Sequence, residues 1–250
     1  RSRYKHDPTP EVSLEIIRRL AARIDLYAAL VVLPGINDGG ILVETIRWLE
    51  TAGVKGVILM RFANELNQGL ILGNAPIMPG QKTHTVEEFA SLVTEMSTLT
   101  RMRVSGTPLC DPELKTPFAL VDEPSLLEKL PTLTGRAAVI TGQVAAPFIN
   151  RILSSRGTGA EVIAVEKEIA DLITIDDLRT LDLALLPGTV IIPGRAFVHL
   201  AEAESVLSAD GTRRTVLRGP EMLTADGETS MGMDQETILA MEMAGFSGLI

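Results

Sequence analysis

The sequence predicts an α/β protein built as two lobes in series. Three observations carry that prediction. Short continuous apolar runs of strand length recur along the chain, stretches of helical periodicity separate them, and a proline-bearing stretch at residues 122–135 divides one alternation from a second. Continuous rather than alternating hydrophobicity suits strands buried on both faces, as in parallel sheets covered by helices. The 250-residue chain is long enough for two ordinary domains, and the predicted division is residues 1–121, a linker at 122–135, and residues 136–250.

In the first lobe, Thr9-Pro10-Glu11 offers a hydroxyl N-cap, a proline at the first helical position and an acid near the positive dipole end. Leu14, Ile17, Leu20 and Ile24 follow at helical spacing. Tyr27 to Leu33 reads as a buried strand stopped by Pro34-Gly35, and Asp38 as the cap of a helix from Ile41 to Ala52 that turns Trp48 and Leu49 inward and ends at Gly53. Val57 to Met60 is the next strand. The loop after it, 61–82, is longer than ordinary strand-to-helix connections of about 2–6 residues and is a candidate functional loop. Thr85 to Glu88 forms a capping box opening a helix through Met96. Arg103 to Ser105 is a third strand, ended by the run from Gly106 to Pro112. Three alternations of this kind imply parallel strands, in an open sheet or in part of a barrel, with the site in the loops after the strands.

The second lobe repeats the pattern with strands at 137–140, 162–165, 190–192 and 215–217, a further apolar run at 183–186, a helix at about 146–153, a polar loop at 227–234 and a methionine-rich helix at 235–243. Met231, Met233, Met241 and Met243 read as adaptable core.

Hydrophobic content of 46% with 22% charged residues describes a folded chain, and a net charge of -9 with no basic run disfavours nucleic-acid binding. One cysteine, Cys110, leaves no intramolecular disulfide, and no leader or long apolar stretch stands out, so the expected localisation is cytoplasmic, away from membranes. The start at Arg1 within a charged segment leads us to expect further sequence upstream.

No phosphate-binding loop, dinucleotide fingerprint, paired-histidine zinc motif or nucleophile elbow occurs, so no catalytic side chain and no metal ligand is assigned. His6, His84 and His199 fall in different segments. Candidate binding residues follow from strand ends. Pro34 to Asp38 brings Asn37 and Asp38, or is simply a turn and a helix cap. Arg61, with Asn64, Asn67 and Gln68 nearby, can clamp a carboxylate or order its own loop. Thr107, Cys110 and Asp111 end the third strand, where Asp111 can meet a cationic substrate or start a turn. In the second lobe, Thr141-Gly142-Gln143, Pro187-Gly188 and Pro193-Gly194-Arg195 suit a large flat ligand close to main chain, or ordinary turns.

The run VVLPGINDGGILVETIRWLETAGVKGVILMRFANELNQGLILGNAPIM, then HTVEEF, then GTPLCDPELKTPFAL, resembles the later part of the radical S-adenosylmethionine domain of the methanogenesis marker methyltransferases. The resemblance covers Tyr4 to Leu120 and continues less distinctively through Thr141-Gly142-Gln143 and IIPGRAFVHL. These archaeal enzymes methylate an arginine, at Cδ, of the methyl-coenzyme M reductase alpha subunit. The resemblance implies the last three βα units of a partial (β/α)6 barrel followed by a smaller Rossmann-like cobalamin-binding domain. It also implies three cofactors: S-adenosylmethionine, cobalamin, and a [4Fe-4S] cluster whose three cysteine ligands lie in a part not present here, so that this chain alone is expected to be inactive. By position, Asn37, Asp38, Arg61, Asn64, Glu65 and Thr107 would face S-adenosylmethionine or substrate, with Asp111 or Glu65 holding the target guanidinium. Cobalamin would meet Thr141, Gly142, Gln143, Pro187, Gly188, Pro193, Gly194, Arg195, Thr229, Ser230 and Met231. The cobalamin-ligand pattern Asp-x-His-x-x-Gly is missing, which points to an apolar lower face with Leu178 beneath the ring. The alternatives are a radical enzyme of another reaction type and a non-catalytic protein-binding lobe.

Overall fold

The computed structural model describes residues 8–69 and 76–250, and His6 lies outside them. The chain is α/β, and the described residues form two parallel sheets, of three and four strands. It divides into two compact units. The first comprises residues 1–62, 83–113 and 226–231; the second comprises 63–82, 114–225 and 232–250. The division falls after Glu113 rather than at 121, and two short segments belong to the unit that sequence order would not give them.

In the first unit, helix α1 (Pro10–Ala21) has proline in its first turn, as expected, but Thr9 makes no side-chain cap. Strand β1 (Tyr27–Val32) pairs in parallel with β2 (Gly56–Arg61), and β2 with β3 (Arg103–Thr107). Helix α2 (Gly40–Thr51) buries Leu42, Ile46 and Leu49, and Gly53 follows it at φ +87°, the left-handed turn that favours glycine. Its N-cap is Gly39, so Asp38 is not the cap. Trp48 is half-buried and lies under the Arg18 guanidinium, 5.2 Å from the ring centroid. Helix α3 (Val86–Thr98) carries the expected capping box: Glu88 N donates to Thr85 Oγ1 at 3.1 Å, and Thr85 N to Glu88 Oε2 at 2.9 Å. Phe89, Val93 and Met96 of α3 join Val57, Leu59 and Val104 of the strands in one core.

In the second unit, the strands are β4 (Ala137–Thr141), β5 (Ala160–Ala164), β6 (Thr189–Ile192) and β7 (Thr215–Arg218), all parallel and ordered β5-β4-β6-β7. The period-2 alternation of side chains splits its core in two. Ala138, Ile140, Val190, Ile192 and Val216 face α6 (Ile175–Arg179) and α7 (Leu200–Leu207), while Val139 and Ile191 face α5 (Ala146–Ser154) and α8 (Gln235–Leu249). A sheet covered on both sides needs apolar residues at every position, which explains the continuous runs.

Three expectations fail here. The run at 183–186 is a 3₁₀ turn at Leu183–Leu185, because Asp182 accepts the Ala184 N–H and starts a turn instead of a strand. The stretch 122–135 is not a free linker. It contains the short helix α4 (Pro124–Leu127), buries Leu130, and packs Leu126 and Leu127 on the α5–α8 core. Helix α8 runs to Leu249, past the expected end at Met243, and α7 was not anticipated. Met231 is buried and Met233 and Met241 pack on a small core around Ile238, as adaptable core residues should.

Helix α8 also carries a fully buried acid. Glu242 accepts hydrogen bonds from Ala119 N at 3.2 Å, Leu120 N at 2.8 Å and Thr224 Oγ1 at 2.5 Å. Burial pushes its carboxyl above the ordinary value, against the opposing pull of those donors. A raised folded pKa means that the stabilisation is complete below the unfolded value of 4.5 and fades as pH rises through the folded one. Urea unfolding between pH 4 and 7 is expected to show this slope in the native chain, and its loss in Glu242→Gln, which does not ionise.

Candidate functional site

Parallel strands leave their connecting loops at the carboxyl edge, so each unit offers one such edge.

On the first unit, the sequence-predicted residues are drawn together but turn largely on one another. Asn37 staples its own strand end: its Oδ1 accepts Leu33 N at 2.7 Å and its Nδ2 donates to Val31 O at 2.9 Å. Asp38 accepts Gly35 N at 2.9 Å through Oδ1 and meets His84 Nε2 at 3.2 Å through Oδ2. Arg61, buried, donates to the His84 carbonyl at 3.3 Å. The centre of this group is therefore His84, which sequence reading treated as a loop residue. Among the described residues its buried Nδ1 has no hydrogen-bond partner, the signature of an unmet acceptor or donor. Nothing local in the sequence marks it, since Asp38 lies 46 positions away.

Thr107 donates to Asp226, and Asp111 is fully buried. The Asp111 carboxylate meets Arg103 at 2.6 Å, takes the Ser230 hydroxyl at 2.5 Å, and accepts Glu113 N at 3.1 Å. It is thus occupied by the protein's own arginine rather than open to a substrate guanidinium. Thr229, Ser230 and Met231 belong to the same unit, strapped along β3, where the Ser230 carbonyl also accepts from Arg103 at 2.8 Å. Beside them, burial pushes the Cys110 thiol up to about 11, so it is a protonated thiol at neutral pH.

On the second unit, Thr141, Gly142 and Gln143 follow β4, and Pro193, Gly194 and Arg195 follow β6. These are the two central strands at which the order reverses: numbered within the unit the sheet runs 2-1-3-4, and the crevice between strands 1 and 3 is where doubly wound sheets hold ligands. The two glycines serve the protein's own backbone. A Cβ at Gly142 would strike the Glu168 carbonyl, and one at Gly194 the Pro220 carbonyl. Gln143 and Arg195 are exposed, with Arg195 3.3 Å from Asp171. Pro187 and Gly188 precede β6 and so lie at the opposite, amino edge, where the Gly188 carbonyl accepts Thr215 N. Leu178 is fully buried in the α6–α7 core and presents no surface to a ring.

The segment 63–82 belongs to this edge. Asn64 is consumed in holding its shape, accepting Met78 N and donating to the Met78 and Gln81 carbonyls, all at 2.9 Å. Glu65, exposed, caps the 3₁₀ turn Leu66–Gln68. Asn67 O accepts Glu168 N at 2.7 Å, and Lys167 Nζ donates to Leu66 O at 2.6 Å. Lys167, buried beside the β4 loop, is the second residue that sequence reading missed. Residues 70–75 of that loop lie outside the described residues.

Among the described residues no group of three or more His, Cys, Asp or Glu is disposed to hold a metal, and no helix is long and apolar enough to cross a membrane.

No protein-family profile matches the chain, and no curated protein does. Among solved structures, one similar chain is a Burkholderia cenocepacia J2315 protein provisionally described as a phosphonomutase, at 16% identity and a TM-score of 0.28, covering 83% of this chain and 68% of that one. A likeness that distant carries no functional argument.

The occupied state of Asp111 makes a prediction. Asp111→Ala leaves the Arg103 guanidinium and the Ser230 hydroxyl without their carboxylate, and is expected to destabilise the first unit by about 3 kcal/mol. Chemical denaturation of the variant against the native chain measures it; an unchanged midpoint would return Asp111 to the list of free ligands.

Proposed function

We propose that this chain is the later part of a cobalamin-dependent radical S-adenosylmethionine methyltransferase, acting on Cδ of an arginine of the methyl-coenzyme M reductase alpha subunit. The observation that supports the reading is the 2-1-3-4 order of the second sheet, whose reversal at β4 and β6 is the place where doubly wound sheets hold ligands. Three consecutive parallel βα units in the first sheet, in the order β1-β2-β3, are compatible with the later half of a partial barrel. The sequence resemblance joins the two.

The residues present fit cobalamin and do not fit the cluster. At the crevice, Gln143 offers an amide and Arg195 a guanidinium to a ligand rich in amide side chains, with the exposed ring of Phe197 nearby in sequence. One cysteine cannot supply a cluster's three thiolates, so those ligands would have to come from sequence outside this chain. When bound, cobalamin supplies the methyl group, and the cluster with S-adenosylmethionine supplies hydrogen abstraction at an unactivated carbon, which polar side chains do not perform.

This chain's own residues bind and orient. Glu65 is the exposed carboxylate suited to hold the target guanidinium in a bidentate pair, in place of Asp111, whose oxygens are taken. The segment 63–82 carries Glu65 and is fastened to the edge that receives cobalamin through the bonds to Lys167 and Glu168.

Mixing the 250-residue chain with hydroxocobalamin, desalting, and recording the visible spectrum tests the reading. About one equivalent retained is expected. No retention would remove cobalamin from the second unit and sink the proposal for this chain.

A further inference from the structure

Lys167 is 7% exposed, and among the described residues its amino group has one hydrogen-bonding partner, the Leu66 carbonyl at 2.6 Å, and no facing carboxylate. A carbonyl satisfies one of three N–H donors and neutralises no charge, whereas a buried ammonium is costly unless an anion faces it. The same unit solves that problem elsewhere. Arg214 is 5% exposed, and Asp210 meets it with both carboxylate oxygens, at 2.7 and 2.9 Å. Among the described residues no carboxylate pairs with Lys167 in this way, although Glu166 and Glu168 flank it in sequence. Its place is also informative. It follows β5, and its carbonyl accepts Gln143 N at 2.7 Å, so its backbone is fastened to the β4 loop that lines the switch-point crevice.

We propose that Lys167 is the anion-binding residue of that crevice, and that the anion is the phosphodiester of the bound corrinoid. The inference rests on the cobalamin reading and goes beyond it by assigning a residue and a ligand group. A lysine suits the task because a compact ammonium meets phosphate as a point charge through charge-assisted hydrogen bonds. Free phosphate has the same chemistry, so the test must separate the two sources.

The test is equilibrium titration of the 250-residue chain, followed by absorbance, with cyanocobalamin and with dicyanocobinamide, which lacks the phosphodiester and its nucleotide. The native chain is expected to prefer cobalamin by about tenfold or more. Lys167→Met is expected to lose most of that preference while binding cobinamide as the native chain does, and Lys167→Arg to keep it; circular dichroism checks that both variants fold. A preference that survives in Lys167→Met overturns the proposal. So does equal weakening of both corrinoids, which would make Lys167 only the fastening of Leu66. Equal binding of both corrinoids by the native chain overturns this inference and leaves the cobalamin reading standing, whereas binding of neither overturns both. Inorganic phosphate bound by a native chain that takes no corrinoid would assign the lysine to free phosphate and likewise overturn the phosphodiester.

Discussion

Parallel strand pairing is the constraint on which the rest of this structure depends. A parallel partner cannot be reached by a tight turn, so each strand must be followed by a crossover, and the chain leaving each strand emerges at the same edge of its sheet. In the first unit that edge collects 33–38, Arg61 with Phe62, and 107–111; in the second it collects 141–145, 165–169 and 193–199. The helices that make the crossovers cover the sheet faces and confine apolar residues to the interior. Polar residues with no role in the core accumulate at the carboxyl edges.

The protein also holds buried charge, and how each charge is compensated separates closed arrangements from open ones. Arg103 and Asp111 form a pair tied down by Ser230, and Arg214 is met by Asp210 and by the carbonyls of Leu183, Leu186 and Leu207. Glu242 receives two backbone N–H groups and a hydroxyl. These are closed arrangements, costly to break and without capacity for a ligand. Among the described residues, the His84 Nδ1, with no hydrogen-bond partner, and the Lys167 amino group, with one carbonyl, are the open ones.

The elements legible in the sequence were those whose signals are local. The continuous runs at 27–33, 57–60 and 137–140 became strands, and the capping box at Thr85 and Glu88 formed because its partners are three residues apart. The candidate site was less legible because an amide or a carboxylate looks the same in sequence whether it faces a ligand or its own loop. Asn64 closes on Met78 and Gln81, 14 and 17 positions away, and Asp111 closes on Ser230, 119 positions away. The polar stretch 227–234 read as a loop of the second lobe, yet its part up to Met231 belongs to the first unit and packs along β3, where the Ser105 hydroxyl donates to the Gly227 carbonyl. Partnerships over such separations leave no periodic trace.

The glycines at the switch point do a different job in the fold from the one their sequence suggests. Gly142 and Gly194 suggested main chain open to a ligand, but the fold uses both for close approach of its own backbone, to Glu168 and to Pro220. That approach draws the chain after β5 and after β7 in against the central strands. It brings Lys167 beside the β4 loop and leaves Gln143 and Arg195 exposed at the ends of β4 and β6. With the backbone groups engaged, recognition at this edge falls to side chains: an amide, a guanidinium and an ammonium. Arg195 already meets Asp171 at 3.3 Å, so of the two cations Lys167 is the one that no carboxylate among the described residues faces, and strand order together with strand-end chemistry sets that difference.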